Sequence, residues 1–423
     1  MSPDPVPATS SERRAAVLNM AWLLGDKALA LLVGLVIVGV IARSHGPVGA
    51  GHFAYGASML QTGLALSLVC AGVALLPRFC RLQGAMAGAV ANVFALRVVA
   101  SVLATGLAMG YCLLTVQDPD RLAVTLLMLV AVPLIEPFYV VSTYWLSRNH
   151  NRPTVIARSS GLLARAALVG AGVWWGAPLW VLALAWILEA VISAALQSWQ
   201  ARQAFAGRPL RRLVSTGRMR SYLLFGLRFV LALWVAQLFI RLDRLMLAQW
   251  MDAHDFGIYA APIQLVEVWS NMAYLIGASL ATAYLYRRLA DGRRFTAILV
   301  TACAMVLVGV LGLVAAWLLG PLLLRVVFGP AFEGSLPYLV AGSAAAVLVF
   351  ADYAIEMVLT ADNRPWLLAM KSAVSLLVLA LVLWYGFAAL GPMAGPAGTA
   401  IGIVAGWLFL WAHREMVRRH RLR

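Results

Sequence analysis

The sequence predicts an all-α polytopic membrane protein, with about twelve transmembrane helices in two parallel-repeat six-helix lobes around a central cavity. Three observations predict it. Hydrophobic residues make up 63% of the 423-residue chain and charged residues only 12%, against about 25% charged in a soluble domain. Apolar runs recur from end to end, each near the ~20 residues that a hydrocarbon core requires. Finally, the second half repeats features of the first. The runs do not alternate in the ~10-residue segments of a transmembrane β-barrel, which excludes that architecture.

Twelve spans follow in order: 16–43, 53–77, 88–115, 122–147, 153–176, 178–199, 221–249, 257–286, 295–319, 336–361, 365–389 and 393–413. Glycine and proline mark the junctions at Gly46-Pro47, Gly176-Ala177-Pro178, Gly329-Pro330 and Gly391-Pro392, because neither continues a helix comfortably. The first outside loop is the short stretch Ser44 to His52. Span four carries Glu136 between Pro133 and Pro137, which interrupt its hydrogen-bond ladder and predict a kink.

The duplication is visible in two places. Shifting the chain by 206 residues puts Ala42 on Ala248, Gly51 on Gly257, Phe53 on Tyr259 and Ala54 on Ala260. A shift of 212 puts Asn151-Arg152-Pro153 on Asn363-Arg364-Pro365. Each half begins on the same side, so the repeats are parallel. Residues 1–199 form the N-terminal lobe, 200–220 a basic linker, and 221–423 the C-terminal lobe with a basic tail.

Arginines set the orientation. With the N-terminus inside, the inside loops hold Arg13, Arg14, Arg78, Arg81, Arg148, Arg152, the linker arginines, Arg287, Arg288, Arg293, Arg294, Arg364 and the tail. The outside loops hold mainly acids, among them Asp118, Asp120, Asp252 and Asp255. Positive charge on one side places both termini in the cytoplasm, with the inside arginines facing anionic phospholipids. The net charge of +16 is therefore spent on orientation and not on nucleic acid.

Other classes fall away. Cys70, Cys80, Cys112 and Cys303 are scattered, with no metal-ligand spacing or disulfide framework. A cleavable signal peptide is not expected. There is no G-x-x-x-x-G-K-[ST] loop for nucleotide hydrolysis. No segment between spans is large enough for a catalytic fold, so the protein is not expected to be an enzyme.

Ionisable groups at bilayer depth need partners or water. The stretch from Arg228 to Glu267 concentrates them. Trp234, Gln237, Arg241 and Arg244 follow steps of three and four and so share one helical face. Facing an aqueous cavity with spare guanidinium groups, this stripe suits a phosphate, with Lys27, beside Asp26, its counterpart on span one. The alternative is mutual neutralisation, for which depth matching pairs Arg241 with Glu267, Arg165 with Glu189 and Lys371 with Glu356. Asp352 and Glu356 lie one turn apart and are candidates, with Glu267, for ion coupling, although pairing of both with Lys371 is the favoured reading.

Two motifs carry a family resemblance. Ile41-Ala42-Arg43-Ser44-His45-Gly46-Pro47 with Gly51-His52-Phe53-Ala54-Tyr55 is similar to the ARxLGPxxFGxFAYA region of bacterial polysaccharide-unit flippases. His45 stands where that family usually has leucine. Leu242-Asp243-Arg244 with Phe256-Gly257-Ile258-Tyr259-Ala260, then Val327-Phe328-Gly329 and Thr360-Ala361-Asp362-Asn363-Arg364, resembles the same family. These flippases belong to the multidrug/oligosaccharidyl-lipid/polysaccharide exporter superfamily.

The resemblance implies twelve helices in two lobes around a cavity. It also implies transfer of an undecaprenyl-diphosphate-linked oligosaccharide across the bacterial cytoplasmic membrane by alternating access, without a cofactor beyond a coupling proton or sodium ion. Polysaccharide polymerase and export proteins are the implied partners. A cation-coupled multidrug exporter and a lipid II flippase are the alternatives within the superfamily. A facilitator of the other large twelve-helix superfamily is disfavoured, because only Asp291-Gly292-Arg293-Arg294 resembles its loop signature.

Overall fold

The computed structural model describes residues 10–82, 85–205, 210–280, 284–285, 294–362 and 364–421. Among them every regular element is helical. In hydrocarbon each backbone N–H and C=O must find its partner inside its own segment, which a helix alone provides for a single span. Arg208, Arg287, Arg288, Asp291, Gly292, Arg293 and Asn363, which the sequence assigned to loops, lie outside the described residues.

The first two spans form one long helix, α1 (Ser10–Leu66), folded at Gly46, where φ is 65° and Pro47 follows. After α2 (Gly72–Arg81), span three is α3 (Met86–Thr115). Span four is broken into α4 (Pro119–Val130), α5 (Val132–Ile135), a 3-10 turn (Glu136–Phe138) and α6 (Tyr139–Ser147), as the flanking prolines predicted. Spans five and six are α7 (Arg152–Trp174) and α8 (Leu179–Ala204).

The second half opens with α9 (Thr216–Phe239) and α10 (Leu242–Trp250), two pieces of span seven. The remaining spans are α11 (Ala253–Leu280), α12 (Arg294–Val327), α13 (Leu336–Ala361), α14 (Pro365–Leu390) and α15 (Ala394–Arg421).

Seven helical stretches are long and apolar enough to cross a membrane, and two, Ala21–Leu66 and Trp366–Met416, have length for two crossings. The spans that escape that measure carry several of the charges described below: Arg158 and Arg165 on α7, Arg241, Asp243 and Arg244 at the break between α9 and α10, and Glu267 on α11. With them the protein is a multi-pass, all-α membrane protein of about twelve spans. Large apolar side chains such as Leu107, Trp174 and Leu114 stand exposed, at 73%, 86% and 89%, as lipid-facing groups do.

Several boundaries differ from the sequence reading, among them the end of span nine, expected at 319 and found at Val327. Span two was expected to run to residue 77, but its helix ends at Leu66, and residues 67–71 break it before α2. Short amphipathic α2 is cut from the same apolar run, so hydropathy alone cannot separate them. Ser44 to His52 is helical apart from the fold at Gly46. Span seven is interrupted at Arg241, whose φ is −123°.

The glycines read as junctions, Gly46, Gly176, Gly329 and Gly391, are the four with positive φ among the described residues, at 65°, 67°, 96° and 56°. A side chain would be strained at those angles.

The chain forms two compact units. Unit 1 holds residues 1–37, 66–109 and 127–228; unit 2 holds 38–65, 110–126 and 229–423. The core of unit 1 gathers Leu75, Phe79, Val90 and Val93 with Val140 and Phe205. Unit 2 has one cluster of Ala42, Ala50, Ala261, Leu324, Phe328 and Phe332, and a second of Ala273, Met305, Phe350 and Ala354.

Within unit 2 the two copies of the repeated motif meet. A Cβ placed on Gly51 would lie 2.8 Å from the Ala253 carbonyl oxygen and 3.2 Å from the Gly257 Cα. The residues that the internal repeat aligns are therefore the ones that let α1 and α11 cross backbone to backbone.

Candidate functional site: a charged cavity in unit 2

A cavity of about 420 Å³ lies within unit 2, lined by residues of α9, α10, α11, α13, α14 and α15. Most of its wall is apolar, from Leu233, Phe239, Ile263, Val349 and their neighbours. Its polar wall includes Gln237, Asp243, Arg244, Glu267, Ser270, Asn271, Asp352 and Glu356. Five predicted site residues thus gather here: Gln237, Arg244, Glu267, Asp352 and Glu356.

The break at Arg241 shapes one side of the cavity. Arg241 Nη1 donates to the Gln237 side chain at 2.7 Å and to its carbonyl oxygen at 3.0 Å. Arg244 Nη2 donates to the Ile240 carbonyl at 3.0 Å. Both guanidinium groups thus satisfy carbonyls that the broken helix leaves without partners.

Glu267, on α11, faces both arginines, with Oε2 2.6 Å from Arg244 Nη1 and Oε1 3.6 Å from Arg241 Nη2. Asp243 lies 3.9 Å from Arg244 Nε and accepts a hydrogen bond from the Tyr259 hydroxyl at 2.6 Å. The guanidinium groups expected to be spare are engaged, and Arg241 and Arg244 are only 7% and 4% exposed. Arg241 and Trp234 do not line the cavity. The three- and four-residue stripe assumed one straight helix, whereas the chain breaks at Arg241, within the stripe.

Opposite, Lys371 of α14 is 2% exposed. Its ammonium donates to Asp352 Oδ2 at 2.5 Å and to Glu356 Oε1 at 2.8 Å. Asp352 Oδ1 accepts from Trp407 Nε1 at 2.8 Å. The sequence offered Lys371 as the partner of the Asp352 and Glu356 pair, and the structure brings both carboxylates to that one ammonium. Four carboxylates (Asp243, Glu267, Asp352, Glu356) therefore meet three cations (Arg241, Arg244, Lys371) around this cavity. One negative charge is left over.

Unit 1 contains the remaining buried charges. Arg165 Nη1 meets Glu189 Oε2 at 2.6 Å, the pair expected from matched depth. Arg97, fully buried, lies 3.0 Å from Glu136 Oε1 and also donates to the carbonyls of Glu136 and Cys70. Sequence reading missed this pair, since nothing local ties span three to the proline-flanked turn. Asp26 pairs with Arg158 at 3.2 Å and not with its neighbour Lys27. Lys27 is exposed and makes no ion pair among the described residues. It lies in unit 1 and so is not part of the unit 2 cavity.

The one triad of potential metal ligands among the described residues, Asp252, His254 and Asp255, is exposed.

Comparison with solved structures shows which proteins share this fold. An inward-facing multidrug-resistance MATE family transporter of the MOP superfamily aligns with a TM-score of 0.71 and 14% identity, covering 96% of this chain and 99% of that one. The lipid II flippase MurJ in an inward closed conformation aligns with a TM-score of 0.68 and 13% identity, over 94% of this chain and 87% of MurJ. A MOP superfamily transporter from Pyrococcus furiosus, whose binding pocket is described as reversed in polarity, aligns with a TM-score of 0.61 and 13% identity, covering 95% of each chain. The fold is that of the multidrug/oligosaccharidyl-lipid/polysaccharide exporter superfamily.

Within that class, residues 87–281 match the family described as polysaccharide biosynthesis protein. The match includes the Leu242–Ala260 motif, and with the shared fold it bears out the resemblance to polysaccharide-unit flippases. No curated protein matches the chain.

Proposed function

We propose that this protein is a flippase that carries an undecaprenyl-diphosphate-linked oligosaccharide from the inner to the outer leaflet of the bacterial cytoplasmic membrane, for polysaccharide biosynthesis. The observation that carries this reading is the polysaccharide-biosynthesis match across 87–281 in a chain with the exporter fold. Arginine placement puts both termini in the cytoplasm. Arg202, Arg212, Arg218 and Arg220 then face anionic lipid headgroups. Transport proceeds by alternating access between the two six-helix lobes, 1–199 and 221–423, joined by 200–220, without enzymatic chemistry and with a polymerase or export protein receiving the product.

Lys27, unpaired among the described residues, is the group that meets the diphosphate first. Gln237, Arg241 and Arg244 contact the anionic headgroup only when it displaces Glu267, their resident counter-ion. Asp352, Glu356 and Glu267 are the ion-coupling candidates. The test is complementation of a strain lacking the gene. Lys27→Gln and Arg244→Gln are expected to leave the lipid-linked sugar accumulated in the inner leaflet, at wild-type protein levels. Normal surface polysaccharide in both would remove these residues from the headgroup site.

A second reading, a cation-coupled multidrug exporter, is favoured by one feature. The cavity in unit 2 is mostly apolar and carries an excess carboxylate, which suits a lipophilic cation better than a phosphate. Efflux of such a cation from cells expressing the protein, without any effect on polysaccharide, would select it.

A further inference from the structure

We propose that Arg43 and Arg121 form a latch that holds the far side of the protein shut, a device that presupposes the alternating-access reading above. Here the far side is the side of the membrane opposite the N-terminus. Arg43 lies at the far end of span one and Arg121 at the far end of span four. Each caps the C-terminus of a helix from the second half of the chain, and all of these residues belong to unit 2.

Helix α12 ends at Val327. The N–H groups of Phe328 and Gly329 both turn back to the Leu324 carbonyl, at 2.9 and 3.1 Å, and Gly329 leaves the helix at φ 96°. The carbonyls of Arg325, Val326 and Val327 are thereby left without helical partners at the negative end of the helix dipole. One guanidinium takes all three. Arg43 Nε donates to Val327 at 3.2 Å, and its Nη2 donates to Arg325 at 3.1 Å and to Val326.

Helix α10 ends the same way. Met251 is extended and its N–H returns to the Leu247 carbonyl, so the Ala248 carbonyl is open. Arg121 Nη1 donates to it at 2.6 Å. Arg121 is 8% exposed, so water does not compete freely for that bond.

In the same unit the Gly51 and Gly257 backbones also cross in contact. All three contacts join a first-half segment to a second-half segment. In a protein open on the far side, these segments must part and water must replace both guanidinium caps. Charge-assisted hydrogen bonds to helix ends are strong enough to bias that step and few enough to be released.

Accessibility tests the latch. Ala50, 4% exposed and packed in the cluster with Ala261 and Phe328, is replaced by cysteine in a protein whose four native cysteines are alanine. In nanodiscs, a membrane-impermeant maleimide is expected to label this site about tenfold faster after Arg43→Gln or Arg121→Gln. Arg43→Lys, which keeps the charge but not the fork, is expected to fall between. A cysteine at Ala183, fully buried in unit 1, is the control. Unchanged labelling in both glutamine variants, or equal acceleration at Ala183, would overturn the latch.

If the cysteine-free protein does not fold, amide exchange on the native-cysteine protein decides the same question. Residues 321–329 are expected to exchange faster in Arg43→Gln, and 245–251 in Arg121→Gln. No change in either segment overturns the latch. Neither readout contains substrate. Loss of the latch therefore leaves the flippase reading standing, and a failed complementation assay leaves the latch measured on its own terms.

Discussion

Replacing Lys371 by methionine is the sharpest test of how unit 2 is held together. The substitution keeps the volume and removes one charge. Among the described residues that charge is the sole basic partner of two carboxylates a helical turn apart, with Lys371 Nζ at 2.5 Å from Asp352 and 2.8 Å from Glu356. The Asp352 and Glu356 side chains are 15% and 28% exposed, so solvent relieves them only partly. Breaking one buried pair by removing a single partner costs about 3–5 kcal/mol. With two carboxylates stranded, Lys371→Met is expected near the top of that range. Trp407 still donates to Asp352, but a neutral N–H cannot offset the missing ammonium.

The neutral triple variant, Lys371→Met with Asp352→Asn and Glu356→Gln, is expected to recover most of the loss. Replacing a whole buried ion network by neutral groups is often close to neutral. The assay is unfolding of the purified protein in micelles, followed by fluorescence-detected gel filtration after heating. A single variant within about 1 kcal/mol of wild type, or a triple no more stable than the single, would refute the account of Lys371 as a structural counter-ion.

Three further outcomes follow from the geometry. Glu267→Gln removes the carboxylate that Arg241 and Arg244 share. If these arginines receive an anionic headgroup, the variant is expected to bind a lipid diphosphate more tightly in a liposome-flotation assay while losing stability. If they serve structure alone, only stability falls. At Gly46, whose φ of 65° and ψ of −167° only glycine adopts readily, Gly46→Ala is expected to cost about 1–3 kcal/mol. Gly170→Ala, where nothing lies within 4 Å of an added Cβ on a helix, is expected to gain up to about 1 kcal/mol in the same unfolding assay.

The fold was legible wherever the cause is local. Span length is set by the bilayer and by hydropathy, so most span boundaries could be read directly from apolar runs. The junction glycines could be read as well, because a positive φ excludes most other residues. The internal repeat proved informative beyond topology, since the aligned Gly51 and Gly257 touch. Breaks inside apolar runs were not legible. Residues 67–71 and the interruption at Arg241 leave hydropathy unchanged while they redirect the chain.

The charged site divides along the same line. Depth matching along adjacent helices found Arg165 with Glu189 and Lys371 with Glu356, because adjacent antiparallel spans fix depth from loop length alone. It could not find Arg97 with Glu136 or Asp243 with Tyr259, whose meeting depends on a break or a helix rotation. It also could not weigh competition. Only Arg241 was expected near Glu267; Arg244 makes the closer contact, and the broken helix adds backbone carbonyls that also claim the donors of both. An arginine inside a membrane therefore does not announce an anion site by its presence. What decides is how many acceptors its own chain has already brought within reach, and for Lys27 among the described residues the count of ion-pair partners is none.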